Sequence, residues 1–328
     1  MGGDYAPQAV VAGAIEAIGE FDVDIALVGR QEDIEQELKT KTYPAERIKI
    51  IHAPEVVLST DPASFSVRKK KNSSITIGIN LLKEGPYDAF VSAGNTGAVV
   101  AAATVHLGML EGVDRPGIGL IFPTLEKLAF IIDVGANTDP KPLHLLQSAL
   151  MARVYVQRVL GVAEPEVGLI NIGAEEIKGT DFAKETHKLL AERLPHFIGN
   201  IEANEIFAGK CDCVVCDGFV GNVVIKVAES LMESAAELLR REIKKSPFAL
   251  FGAQLMKSRL MHIKRYADYT EYGGAPLLGV NGIVMISHGR SSAKAIKNAI
   301  RAAKHEVEHN IIAALIREIK GEHEPCQI

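Results

Sequence analysis

Apolar residues recur along this chain in two rhythms. Short apolar runs bounded by glycine, proline or polar residues predict strands at 24–28, 48–51, 89–91, 118–122, 128–133, 167–172, 197–202, 276–280 and 283–286. Between them, apolar residues spaced three and four apart predict helices over 7–18, 61–71, 98–107, 143–160 and 181–194, and a further helix after Ser292. The turn at Pro123-Thr124 joins the fourth and fifth strands into an antiparallel hairpin. Strand and helix otherwise alternate, which predicts an α/β fold: a mostly parallel sheet covered by helices on both faces, with ligands at the carboxyl ends of its strands.

The stretch Cys211-Asp-Cys-Val-Val-Cys-Asp-Gly-Phe-Val-Gly-Asn-Val-Val-Ile-Lys226 joins both rhythms. It reads as a buried strand, a sharp turn at Asp217-Gly218 and the start of a long helix whose apolar face carries Val220, Val224, Val227, Leu231, Ala235 and Leu238. Asn222 and Lys226, four residues apart, project from one side of a helix end that favours anions. The plain alternative is a crossover turn with Lys226 in water.

Composition narrows the class. With 328 residues, 47% of them hydrophobic, the chain can bury a large core as one domain, or as two lobes of it. A net charge of −5 gives no global sign of nucleic-acid binding. No apolar run is long enough to span a bilayer and no leader opens the chain, so a cytoplasmic protein is expected. Cys211, Cys213 and Cys216 cluster, but on a strand Cys216 would face away from the other two, and distant Cys326 is a poor fourth ligand. No metal is expected.

Asn95, Asn137, Asn171, Asn200 and Asn222 all fall at or just after strand ends, mostly beside glycine. Asparagine and glycine are ordinary turn residues, yet five such loops in one crevice would offer amides, backbone N–H groups, Ser92, Thr96, Lys178 and Lys226 to an oxyanion-rich ligand. A phosphate or acyl site is the expectation. No dinucleotide fingerprint, P-loop or Gly-x-Ser-x-Gly elbow is present, and no cofactor is expected.

Seven motifs carry a resemblance: Met-Gly-Gly-Asp4, Ser92-Ala-Gly-Asn-Thr-Gly-Ala98, Asp133-Val-Gly-Ala-Asn137, Gly168-Leu-Ile-Asn-Ile-Gly173, Gly199-Asn-Ile-Glu202, Asp217-Gly-Phe-Val-Gly-Asn222 and Gly273-Gly-Ala-Pro-Leu-Leu-Gly279. In this order, along nearly the whole chain, they resemble the PlsX family of acyl-[acyl-carrier-protein]:phosphate acyltransferases. The resemblance implies formation of acyl phosphate from long-chain acyl carrier protein and inorganic phosphate, for phospholipid synthesis. It implies a homodimer, a fold similar to phosphotransacetylases and isopropylmalate dehydrogenases, peripheral attachment to the cytoplasmic membrane, and delivery of product to a membrane-bound glycerol-3-phosphate acyltransferase. An acyl-CoA-dependent phosphate acetyl- or butyryltransferase and a dehydrogenase of the related fold are the alternatives.

Phosphate carries its own nucleophilic oxygens, so the reaction needs a holding site rather than a catalytic triad. Asn95, Thr96, Asn137, Lys178, Asn222 and Lys226 are assigned to phosphate and oxyanion binding, with Ser92, Asn171, Asn200 and Gly218 as further binding positions. Asp217 either orients a lysine or amide or caps the turn. His288 either protonates the departing thiolate or is structural.

Two departures from the family pattern stand out. Ala203-Asn-Glu205 occupies the place where the family tends to have Gly-Arg-Asp, and the family's short apolar strand ahead of Met-Gly-Gly-Asp is expected upstream of Met1. Two basic stretches remain. Arg68-Lys-Lys-Lys71 reads as a solvated face. Residues 240–265 hold eight lysines and arginines against Glu242, interleaved with Phe248, Leu250, Phe251, Leu255, Met256, Leu260 and Met261, and are read as a protruding helical segment. Bilayer docking, a dimer contact or a core segment are its three readings, and the resemblance favours the first.

Overall fold

The computed structural model describes residues 1–58, 60–267 and 271–321, without the side chains of 64, 65, 264, 265 and 267; Cys326 lies outside the described residues. In chain order the elements are α1 (Gln8–Glu20), β1 (Ile25–Gly29), α2 (Gln31–Leu38), β2 (Ile48–His52), α3 (Ala63–Lys69), α4 (Ser74–Glu84), β3 (Ala89–Ser92) and α5 (Thr96–Ala102). Then follow β4 (Gly117–Pro123), β5 (Leu128–Ile132), α6 (Pro142–Tyr155), β6 (Val167–Ile170), α7 (Asp181–Arg193), β7 (Phe197–Ile201), α8 (Ala203–Ala208) and β8 (Cys213–Val215). The last are α9 (Gly218–Lys244), α10 (Pro247–Leu255), α11 (Lys257–Ala267), β9 (Ala275–Leu278), β10 (Ile283–Ile286), α12 (Ala293–Glu308) and α13 (Ile311–Ile319).

Eight strands form one sheet in the order β3-β10-β9-β4-β5-β8-β6-β7, while β1 and β2 pair by themselves, in parallel. The pairings β3–β10, β5–β8, β8–β6 and β6–β7 are parallel. Those of β9 with β10 and with β4, and of β4 with β5, are antiparallel. The hairpin expected at Pro123-Thr124 is therefore present, and the sheet has an antiparallel middle between two parallel flanks. One consequence governs the site: β3 and β10 run opposite to β5, β8, β6 and β7. Their carboxyl ends open on opposite edges of the sheet.

The sheet is buried on both faces, and β8 shows why its sequence is almost uniformly apolar. Cys213 and Val215 pack into one core with Phe130, Ile132 and Tyr155, whereas Val214 and Cys216 pack into another with Ile131, Ile201 and Ile206. Cys211 lies ahead of the strand and joins the core of Cys216, its thiol donating to the Cys213 carbonyl at 3.2 Å. The expected face-sharing of Cys211 and Cys213 is thus corrected, because alternation holds only within the strand.

Three further expectations shift. The apolar stripe of α9 does not stay buried: Val220 and Val224 pack against the core, but Val227, Leu231 and Leu238 are exposed. The C-terminal helix is two helices, divided at Asn310, whose φ of 49° places it in the left-handed region. In the basic run at 68–71, Lys70 is turned inward, donating to Asp61 at 2.5 Å and to the Val56 carbonyl at 2.8 Å.

A cavity of about 840 Å³ separates the two sheets, with β1 and β3 on opposite sides of it and α1, α4 and α12 contributing to its walls. Met1 packs on Gly29 at the end of β1, and Gly3 lies against the Ala93 carbonyl just past β3, so residues 1–3 cross one mouth of this cavity.

Candidate functional site

At the end of β5 the chain turns on Asp133, a carboxylate with 3% of its surface exposed. Its oxygens accept backbone N–H groups from Ile118 at 3.1 Å, Gly135 at 2.9 Å, Ala136 at 2.8 Å and Asn137 at 2.7 Å. Burial pushes the Asp133 carboxyl above its ordinary range, and these four donors pull it back toward the charged form. The Asn137 side chain donates to Asp133 at 3.1 Å and to the Pro116 carbonyl at 2.6 Å. Its amide hydrogens serve the turn.

The neighbouring strand β8 delivers α9 to the same edge. Asp217 caps this helix, accepting from Phe219 and Val220, each at 2.9 Å; of its two sequence readings, the capping one is present. Gly218 donates to the Asn137 carbonyl at 2.7 Å, and a Cβ at 218 would stand 2.6 Å from that oxygen. The close approach requires glycine. Asn222 is half-buried and Lys226 exposed on the first turns of α9.

Next in the sheet, β6 leads into the loop 171–180, and β7 ends beside it. Asn171 donates to the Lys178 carbonyl at 3.1 Å and accepts from Ile172 at 2.8 Å. Asn200, 3% exposed, donates to the Glu175 carbonyl at 3.0 Å and pairs with His187 Nδ1 at 3.1 Å. Thr180 caps α7, and Lys178 is exposed at the loop's end. Where the family tends to carry Gly-Arg-Asp, Glu205 closes a capping box at α8 and pairs with Lys210 at 2.5 Å, which holds its carboxyl below the usual range.

The remaining residues sit on the opposite edge. Ser92 accepts from Gly94 at 3.2 Å, Asn95 caps α5 while donating to the carbonyls of Leu58 and Asp61, and Thr96 is exposed at the helix start. His288, after β10, accepts the Arg290 N–H on Nδ1, and Ser287 donates its N–H to the Ser92 carbonyl. The structure therefore brings Asn137, Asn171, Lys178, Asn200, Asp217, Gly218, Asn222 and Lys226 to one edge, and Ser92, Asn95, Thr96 and His288 to the other.

Hydrogen bonding separates these groups further. Asn95, Asn137, Asn171 and Asn200 have their amides engaged with backbone carbonyls. Among the described residues, the side chains of Lys178, Asn222 and Lys226 have no hydrogen-bond or ion-pair partner. They hang from the adjacent strands β6 and β8, whose ends start about 4.8 Å apart. Sequence reasoning missed His187, whose position on the buried side of α7 is its one legible signal.

A family described as fatty acid synthesis protein matches residues 1–314. A phosphate acyltransferase of Heliobacterium modesticaldum is 47% identical over 326 residues, 99% of this chain and 97% of the relative. One from Desulfitobacterium hafniense is 48% identical over 320 residues, 97% and 96% of the two chains. Among solved structures, a phosphotransacetylase from Streptococcus pyogenes superposes with a TM-score of 0.60 at 17% identity, covering 96% of this chain and 92% of that one, which is a likeness of fold. Near-identity of length, nearly half of all positions and the motifs that built this edge together place the chain in the fatty acid synthesis protein family, among relatives that are phosphate acyltransferases.

Proposed function

We propose that this chain transfers a long-chain acyl group from acyl carrier protein to inorganic phosphate, releasing the carrier thiol and forming acyl phosphate. The observation that carries this reading is the full-length identity to phosphate acyltransferases. The site geometry fits it: among the described residues Lys178, just ahead of α7, and Asn222 and Lys226, in the second and third turns of α9, have side chains without partners, and the amino ends of the two helices add N–H dipoles that favour an anion. A phosphate oxygen attacks the thioester carbonyl carbon, the carbonyl π pair moves to oxygen, and its return expels the thiolate. Lys178, Asn222 and Lys226 hold phosphate and the developing oxyanion; Asp133 and Asn137 hold the turn against which α9 begins.

The partners follow from the same reading. The exposed stripe Val223, Val227, Leu231 and Leu238 of α9 suits a second copy of the chain, since isolated apolar stripes on long helices are rarely left in water. The α10–α11 segment, with Phe248 90% exposed beside Lys244 and Lys245, suits an anionic membrane surface. No described helix is long and apolar enough to cross a membrane.

Phosphate-dependent release of free carrier from acyl carrier protein tests the activity. Turnover is expected with acyl carrier protein as donor. Turnover with acyl-CoA alone would instead place the chain with the CoA-dependent transferases.

A further inference from the structure

One atom that fastens the loop carrying Lys178 to the sheet is the carbonyl oxygen of Glu175. It accepts the backbone N–H of Lys178 at 3.1 Å, which closes the turn, and the side-chain Nδ2 of Asn200 at 3.0 Å, which ties that turn to β7. Because Asn200 spends its Nδ2 on this carbonyl, its Oδ1 faces the His187 ring and can only accept. His187 Nδ1 must therefore carry the hydrogen of their 3.1 Å bond. The ring is fixed in turn by Phe197, edge to face at 5.3 Å, and both His187 and Asn200 are buried, at 8% and 3% exposure. His187 Nε2 points toward the loop as well, 3.7 Å from the Glu176 carboxylate. A second tie comes from Asn171, whose Nδ2 holds the Lys178 carbonyl at 3.1 Å.

We propose that Asn200 and His187 are positioning residues for Lys178: they fix the Glu175–Lys178 turn so that the lysine is delivered preformed to the phosphate. This rests on the reading that Lys178 contacts phosphate. The physical reason is that a lysine on an exposed loop must otherwise be ordered on binding, and fixing the loop beforehand removes that cost from each encounter. A buried Asn–His hydrogen bond is also costly to leave half-made, so each partner enforces the other's orientation.

The test compares Lys178→Ala, Asn200→Ala and the double variant for phosphate KM and kcat with a long-chain acyl carrier protein as donor. Lys178→Ala is expected to raise the phosphate KM at least tenfold; no change would remove the reading beneath this proposal rather than the proposal's own logic. Given that rise, Asn200→Ala is expected to raise the phosphate KM severalfold with the carrier KM unchanged, and to add nothing in the Lys178→Ala background. Independent, multiplicative losses would overturn the positioning role, since they would mean Asn200 acts without the lysine. His187→Asn, which keeps a donor where Nδ1 stood, is expected to retain phosphate KM where His187→Ala does not; equal loss in both would count against the proposal. Should Asn200→Ala prove poorly folded, hydrogen exchange in His187→Ala decides: residues 173–179 are expected to exchange faster with β6 and β7 unchanged, and an unaltered loop would overturn it.

Discussion

The α-carbon of Gly221 lies so close to the carbonyl of Asp133 that a Cβ at position 221 would stand 2.0 Å from that oxygen. This contact seats the first turn of α9 directly on the end of β5, so the position of Asn222 depends on a backbone approach that only glycine permits.

Gly221→Ala is accordingly expected to force α9 off the sheet end. Overpacking against backbone costs at least about 1–3 kcal/mol, read as a lower denaturation midpoint, with phosphate affinity falling in the same variant. An unchanged midpoint would show that the helix start can shift freely.

If the proposed phosphate site is right, Lys178→Ala and Asn222→Ala each remove a donor from it. Loss of one such donor costs about 2.7–4 kcal/mol in the transition state, or roughly 10²–10³ in kcat/KM for phosphate. Both side chains are without partners among the described residues, so circular dichroism and melting should match the parent. Parental rates in both folded variants would dismiss the site.

Glu306 gives the stability a pH dependence of defined sign. It is fully buried on α12, accepts from the Tyr155 hydroxyl at 3.1 Å, and burial raises its carboxyl from the ordinary 4.5 to about 8. The folded chain keeps this proton while the unfolded chain releases it, so the contribution is complete below about pH 4.5 and is lost as pH rises to about 8. At about 1.4 kcal/mol per unit, the loss amounts to several kcal/mol. Urea midpoints of the parent should fall across that window and those of Glu306→Gln should fall less; parallel curves would exclude Glu306 as the source.

For the membrane reading, Phe248 and Phe251 are 90% and 68% exposed near the cationic end of α9. Each lysine or arginine near an anionic surface contributes about 1 kcal/mol. The parent is expected to bind anionic vesicles in a salt-sensitive manner, and Phe248→Asp/Phe251→Asp to lose this binding while turning over soluble carrier substrate normally. Undiminished binding argues against docking here, and conversion to a monomer would assign the segment to the dimer contact.

The cavity between β1 and β3 supports an engineering experiment. Each strand pairs on one side only among the described residues, and residues 1–3 cross the mouth of the cavity. A five-residue valine- and isoleucine-rich strand fused ahead of Met1 is expected to raise the thermal midpoint by pairing both edges, and a glycine-serine segment of equal length to leave it unchanged. Equal midpoints would mean that the space does not accept a strand.

Local periodicity determined most of the elements, because residues 118–132 or 181–193 bury one stripe or two faces and their sequence must show it. Composition and the seven motifs determined the family, since nearly every motif marks a backbone turn whose geometry restricts residue choice, as at Gly218 and Gly221. Which asparagines are available to a ligand was decided only by tertiary structure. Asn137 and Asn222 are alike as letters, each within two residues of a glycine just past a strand, yet Asn137 is consumed by Asp133 and the Pro116 carbonyl, 21 residues back, and Asn222 is not. The division of Ser92, Asn95, Thr96 and His288 from Lys178 and Asn222 was likewise invisible in the chain, because strand direction depends on long-range pairing: β9, inserted from residues 275–278 between β10 and β4, fixes the opposite senses of the two flanks. The role of His187 had the same origin, a 13-residue separation from Asn200 closed by the packing of α7 on β7.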